Sequence, residues 1–513
     1  MKNYEQNINK VKEILRNQRY YESIGALMDW DSWQGLPIDG RNYRQEVSGY
    51  FVKEALKLIK DNDTKKLVEY LRELDDKKFQ NIYDQAASRI LVKNYDIAVK
   101  VPVDLQIEMN DFTAKTLIVW RAALNESDFN IYKPYLRRMF ELKTQIAQAI
   151  DKTKNPFDVL ISDFNEGLTV NKVEQLFKEI KEAIINILAK VENKYSNIDN
   201  SFLRVSCSKE SIKKICTSIV EKAFFDKNKA TYSEVIHPEC IGVGPADIRI
   251  TTHFNDLFPS IFAMLHECGH GLYSYSSNEK AVDYGIWGGI SGAMHESQSR
   301  FYENFIGKSK EFWQFFYPLL QEEIKEFQNI DLDTLYNGIN KINPSVKRMN
   351  ADELTYSLHP IIRFEMEKEY FDGKLKTDDF YEAWNAKYRE YLGIEPQNAK
   401  EGVLQDVHWA AGLIGYFQSY TLGNIYGGQF RNKMLQDIPE LYQQIANGDF
   451  SALNKWNYKK VHQYGKLYRP NELMMRVTGE EIQSKYFIDY LNKKFLLRDS
   501  KKVNNAFVDN FSK

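Results

Sequence analysis

The chain is 513 residues long, 43% apolar and 27% charged, with 69 Lys and Arg against 71 Asp and Glu. Such a composition supplies a large buried core, and a formal net charge of −2 gives no basis for a nucleic acid or an anionic membrane as partner. The four cysteines follow neither a zinc-finger nor a disulfide spacing and read as reduced thiols of a cytoplasmic protein.

In chain order, the polar and amphipathic residues 1–23 lack the apolar run of a signal peptide, and no run of about eighteen apolar residues follows, so no membrane span is predicted. Apolar residues at three- and four-residue steps predict helices over 3–17, 50–75, 79–98, 134–152, 169–193, 311–328 and 436–446. Residues 229–254 differ. Gly and Pro turns come first, and then Ile248, Ile250 and Thr252 alternate with Asp247, Arg249 and Thr251. That period predicts a short half-buried strand. Pro259 then opens a helix, since proline is tolerated in the first turn. There is no low-complexity linker, internal repeat or shift of composition, so residues 1–513 read as one mainly α-helical domain with a small sheet. All eight histidines lie at or beyond position 237, which assigns the chemistry to the C-terminal half and leaves the N-terminal part as scaffold or groove wall.

The central motif is His266-Glu267-Cys268-Gly269-His270. Positions i and i+4 share a helix face, so both imidazoles can reach one ion. Zinc lowers the pKa of a coordinated water to about 7, and a carboxylate at position 267 can take its proton. Buried neighbours such as Met264 and Leu265 argue against a merely solvated surface helix. Catalytic zinc takes three protein ligands. A third histidine in the extended motif would fall at Ser276, so the remaining ligand must come from a second helix. Glu296 is the best candidate, with His295 and Glu303 as rivals, after a loop through Gly285, Gly288 and Gly289. Arg300, one turn further on, is placed to hold the ligand or an outer acid.

Five stretches together resemble the carboxypeptidase Taq family of thermostable metallocarboxypeptidases: Asp247–Thr251, His266–His270, His295–Gln298, Arg348–Asp352 and Gly402–Trp409, with a weaker match at Trp30-Asp31. The resemblance implies a neurolysin-like helical body with a deep substrate groove and a small β-sheet beside the zinc site. It also implies a homodimer, one divalent metal (zinc, with cobalt as a substitute) and stepwise release of C-terminal amino acids with broad specificity. Two departures stand out. The family's His-Pro-Phe is His237-Pro238-Glu239 here, and Lys347 replaces the usual Ile before Arg348.

A carboxypeptidase must hold a free terminal carboxylate, and a bidentate arginine suits it. Arg348 is the first choice and Arg249 the second; structural ion pairs with Asp352 or Asp247 are the bland alternative for each. His408 and either Tyr416 or Tyr420, expected further along the same helix, are candidates for stabilising the oxyanion. Packing against Trp409 is the plain alternative for His408. Gln405 and Asp406 are read as orienting their neighbours. The expected function is therefore a zinc metallocarboxypeptidase with Glu267 as general base. The competing readings are a zinc endo-oligopeptidase and a silent zinc-stabilised scaffold.

Overall fold

The computed structural model describes residues 2–195, 197–235 and 238–497, so His237 of the first departure lies outside the described residues. The N-terminal layer consists of α1 (Lys2–Gln34), α2 (Arg41–Lys60), α3 (Asn62–Glu73), α4 (Ile82–Lys100) and α5 (Val103–Glu126). The helix predicted over 50–75 is two helices. Asp61 is extended and its side chain accepts from the Asp63 N–H, so it caps α3 and breaks the run. Next come α6 (Phe129–Ile150), α7 (Pro156–Phe164), α8 (Val170–Tyr195) and α9 (Lys209–Ala223). The period read over 169–193 matches α8, whose Val173, Leu176, Phe177, Ile180, Ile184 and Ile187 are all buried. Each such side chain contributes roughly 1.5–3 kcal/mol on burial.

A three-stranded sheet follows: β1 (Ala230–Glu234), β2 (Glu239–Gly244) and β3 (Asp247–Thr252). The predicted strand is β3, which lies centrally, parallel to β1 and antiparallel to β2. Ile248 and Ile250 face the core. Both neighbours were missed, because Gly242 and Gly244 interrupt the alternation of β2.

The catalytic half contains α10 (Leu257–Tyr275), α11 (Glu279–Asp283), α12 (Gly292–Arg300), α13 (Lys310–Glu323), α14 (Leu332–Ile339), α15 (Leu358–Phe371), α16 (Phe380–Leu392) and α17 (Gln418–Asp437). Four short helices follow: α18 (Leu441–Ala446), α19 (Ser451–Lys460), α20 (Pro470–Thr478) and α21 (Lys485–Leu491). The helix predicted over 436–446 is only α18, because α17 runs on to Asp437. Residues 401–417 form turns, so His408, Tyr416 and Tyr420 do not share one helix. Gly412 and Gly415 take φ of +71° and +87° there, which ends any α-helical course.

Helix α12 is wedged between α10 and α17. A methyl on Gly269 of α10 would stand 2.5 Å from the Gln298 carbonyl oxygen, and one on Gly423 of α17 would stand 2.5 Å from Glu296 Cβ. Two glycines thus set the spacing of the three helices that frame the site. A second apolar cluster joins α1, α3 and α4 to Ala281, Tyr284, Ile286 and Leu467, tying the N-terminal layer to the catalytic half. Among the described residues, no helix is long and apolar enough to cross a membrane.

Candidate active site

Two adjacent helices supply the metal-ligand types. His266, Glu267 and His270 sit on α10, and Glu296 sits on α12. Among the described residues, His266, His270 and Glu296 form the one group of three such side chains whose donor atoms all lie within 4.8 Å of one another. His266 Nε2 is 3.7 Å from Glu296 Oε2, and His270 Nε2 is 3.8 Å from Glu296 Oε1. Two donors on a tetrahedral ion stand about 3.4 Å apart, so the set fits one divalent metal after a small contraction. Ser299 Oγ also donates to Glu296 Oε2 at 3.1 Å.

The rivals for the third ligand take other positions. Glu303 Oε2 meets His266 Nδ1 at 2.8 Å, which leaves His266 Nε2 for the metal. Glu303 lies on a π-helical turn, Phe301–Ile306, that continues α12. The wider turn re-aims the side chain back toward α10, and such turns cluster at functional sites. Arg300 Nη1 donates to Glu303 Oε2 at 3.0 Å, so Arg300 serves the outer acid and not the candidate ligand. Burial opposes ionisation of Glu303, but Arg300, His266 and Lys308 together hold its carboxyl far below the usual range. His295 packs against the Tyr273 and His270 rings, with centroids 4.9 and 5.6 Å away.

Glu267 is 7% exposed. Burial pushes its pKa up to about 7; the charge of His266 pulls down, and Glu296, Glu239 and Glu303 push up. Its carboxylate is therefore a stronger base than a solvated one. Burial likewise drives His270 well below its ordinary value, which keeps it neutral, as a ligand must be.

A second constellation lies around Asp406. Arg348 Nε and Nη2 donate to Asp406 Oδ1 at 3.0 and 2.9 Å, and Arg363 Nε donates to Oδ2 at 2.7 Å. Arg348 Nη1 also donates to Tyr356 Oη at 3.1 Å. The structural partner of Arg348 is thus Asp406, whereas Asp352 caps the Thr355 turn. Gln405 accepts from the Arg348 backbone N–H at 2.8 Å. Arg300 stacks on Tyr356 at 3.8 Å, so Tyr356 bridges the metal-ligand helices and this cluster. Arg249 pairs with Asp247, with Nη2–Oδ2 at 3.1 Å, and lies over Trp30 at 4.9 Å.

His408 Nε2 meets Tyr420 Oη at 2.8 Å, and burial first of all lowers its pKa to about 3. Its Nδ1 is buried without a partner among the described residues. Tyr416 packs beside it at 5.9 Å and touches Gly292 at the start of α12.

A family model described as carboxypeptidase Taq (M32) metallopeptidase matches residues 10–495. The chain belongs to this family. Carboxypeptidase 1 of Bacillus subtilis is 36% identical over 488 residues, covering 94% of this chain and 97% of that protein. Thermostable carboxypeptidase 1 of Thermus thermophilus is 32% identical over 502 residues, covering 94% and 97%. The crystal structure of the M32 carboxypeptidase of Deinococcus radiodurans superposes with a TM-score of 0.91 at 28% identity, over 96% of this chain and 99% of that one. The family is one of metallocarboxypeptidases and implies a bound metal ion.

The sequence motifs point to α10 and to Glu296, and the structure brings His266, His270 and Glu296 together. Tyr356, Arg363 and Glu367 were missed. Tyr356 follows Asp352 by four positions in the turn before α15, where its N–H donates to the Asp352 carbonyl at 2.9 Å. Arg363 and Glu367 share a face of α15 at the i, i+4 spacing, and both are fully buried. Charged side chains on the apolar face of a helix were the available signal.

Proposed function

We propose that this enzyme releases C-terminal amino acids one at a time from peptides of broad sequence, with zinc held by His266, His270 and Glu296. The observation that carries the reading is the convergence of these three donors beside the buried Glu267. The metal supplies Lewis acidity at the scissile carbonyl, and cobalt can substitute. Glu267 takes a proton from the attacking water and delivers it to the leaving amine. Tyr416 and His408, the latter paired with Tyr420, face the developing oxyanion.

Arg348 anchors the terminal carboxylate, and Arg249 is a second substrate contact further out. Charge balance supports the anchor. Two guanidinium groups share the single carboxylate of Asp406, so the cluster carries a net positive charge into which a substrate carboxylate fits. The chain acts as one domain on peptides, as a cytoplasmic homodimer.

One observation favours a zinc endo-oligopeptidase instead. Asp406 and Tyr356 already occupy Arg348, so it has few free donors for a terminal carboxylate. One peptide, prepared as free acid and as C-terminal amide, separates the two by mass spectrometry of the products. A ladder of single C-terminal losses from the acid alone, abolished by chelator and by Glu267→Gln, is expected. Internal cuts in both peptides would assign the endo activity. Metal binding without cleavage of any peptide would leave a silent scaffold.

A further inference from the structure

Glu367 lies on α15 with no exposed surface. One of its carboxyl oxygens accepts from the Trp409 indole N–H at 2.7 Å, and the other from the Gly415 backbone N–H at 3.0 Å. Burial pushes its pKa up to about 8, against the pull of these two donors and of the Lys143 charge. An apolar side chain would be cheaper in such a place, so the distinctive contribution of glutamate is a pair of acceptors at fixed separation.

The two donors have a telling position in the chain. Trp409 directly follows His408, and Gly415 directly precedes Tyr416. Between them the backbone bonds Ala411 N to Val407 O (2.9 Å) and Leu413 N to His408 O (2.8 Å) close only the first half of the turn. The second half passes through Gly415 at φ +87°, and its amide finds Glu367. The Trp409 ring is itself locked, with Phe380 at 5.2 Å and Phe417 at 5.9 Å. Neither end of the 409–415 turn can shift without breaking a bond to one carboxyl group.

We propose that Glu367 is a positioning residue for peptide hydrolysis, clamping both ends of the 409–415 turn so that His408 and Tyr416 keep one separation at the oxyanion. The proposal rests on the reading of those two residues given above. Glutamine at 367 keeps one acceptor but turns an amide N–H toward the second donor, so one end of the clamp opens. Displacements of about 1 Å at reacting groups cost up to about 100-fold.

The test is steady-state kinetics on a free-acid peptide, with metal content and Tm measured for each protein. Glu367→Gln is expected to lower kcat at least about 10-fold with KM within about 3-fold and the metal retained. Combined with Tyr416→Phe, its loss should be smaller than the product of the two single losses, because without the Tyr416 hydroxyl the separation that the clamp keeps no longer matters in full. An unchanged kcat in metal-loaded Glu367→Gln, or losses that multiply in the double variant, would overturn the proposal. If Glu367→Gln fails to fold, Trp409→Phe removes one clamping bond and keeps the aromatic packing. A several-fold loss of kcat is then expected, and full kcat overturns the proposal. Should His408→Ala and Tyr416→Phe keep their kcat, the oxyanion reading fails and the clamp falls with it. Should they lose it while Glu367→Gln does not, the clamp alone falls.

Discussion

The metal-ligand cluster and the arginine cluster carry opposite charge and opposite sequence architecture. Around His266 and His270, Arg300 and Lys308 balance Glu303, whereas Glu267 and Glu296 lie buried with no Lys or Arg partner among the described residues, and that uncompensated negative charge suits a divalent cation. Around Asp406 two arginines share one carboxylate, and the surplus positive charge suits an anion. His266, Glu267 and His270 come from one helix. Arg348 and Asp406 stand 58 positions apart, with Arg363 between them on another element. Neutralising each cluster from within would stabilise the fold. Each remains unbalanced in the sense that its proposed ligand would correct.

The comparison breaks most visibly at Glu267. Glu267→Gln should lower kcat/KM by about 10²–10⁴-fold with the metal still bound, as read from peptide turnover and metal analysis of the same preparation. Activity retained within a few fold would remove Glu267 as the base. Next in size is Asp406→Asn, which strands two buried guanidinium groups and should cost about 3–5 kcal/mol in denaturant unfolding. The Asp406 carboxyl is held far below the usual carboxylate range, burial being outweighed by Arg348 and Arg363. A depressed acid stabilises the fold above its unfolded pKa of about 4 and loses that contribution as pH falls below it. Wild-type Tm should therefore drop on acidification below about pH 4, and the drop should flatten in Asp406→Asn.

Smaller effects sharpen the contrast. Glu303→Gln removes the charge behind His266 and should weaken metal affinity about 10- to 100-fold, measurable by competition with a chelator. An unaltered affinity would reduce Glu303 to packing. Least of all, Asp247→Asn breaks a partly exposed pair and should change stability by less than about 1 kcal/mol. A larger loss would make the Arg249–Asp247 pair part of the framework.

The same contrast explains what the sequence revealed. The convergence of His266, His270 and Glu296 was legible because histidines at i and i+4 leave a local pattern, which sends the search for a carboxylate to the next helix. Strand β3 was legible from its alternation, whereas β2 hid behind two glycines. The break at Asp61 could have been read from its capping chemistry. The arginine cluster was only half legible. Arg348 and Asp406 were both singled out, but nothing in a linear sequence says that they meet, or that Arg363 joins them. The helix expected from His408 onward failed at Gly412 and Gly415, where positive φ substitutes turns for a helical course.

The wedging of α12 has a kinetic consequence. A ligand on a loop can swing aside to let an ion go. Glu296 Cβ lies against Gly423 on one side of α12, while Gly269 meets the backbone of Gln298 and Ser299 on the other, so the backbone that carries this proposed ligand can withdraw only if three helices part together. Demetallation should then proceed at the pace of that collective breathing. Raising the concentration of an external chelator beyond saturation should not hasten it.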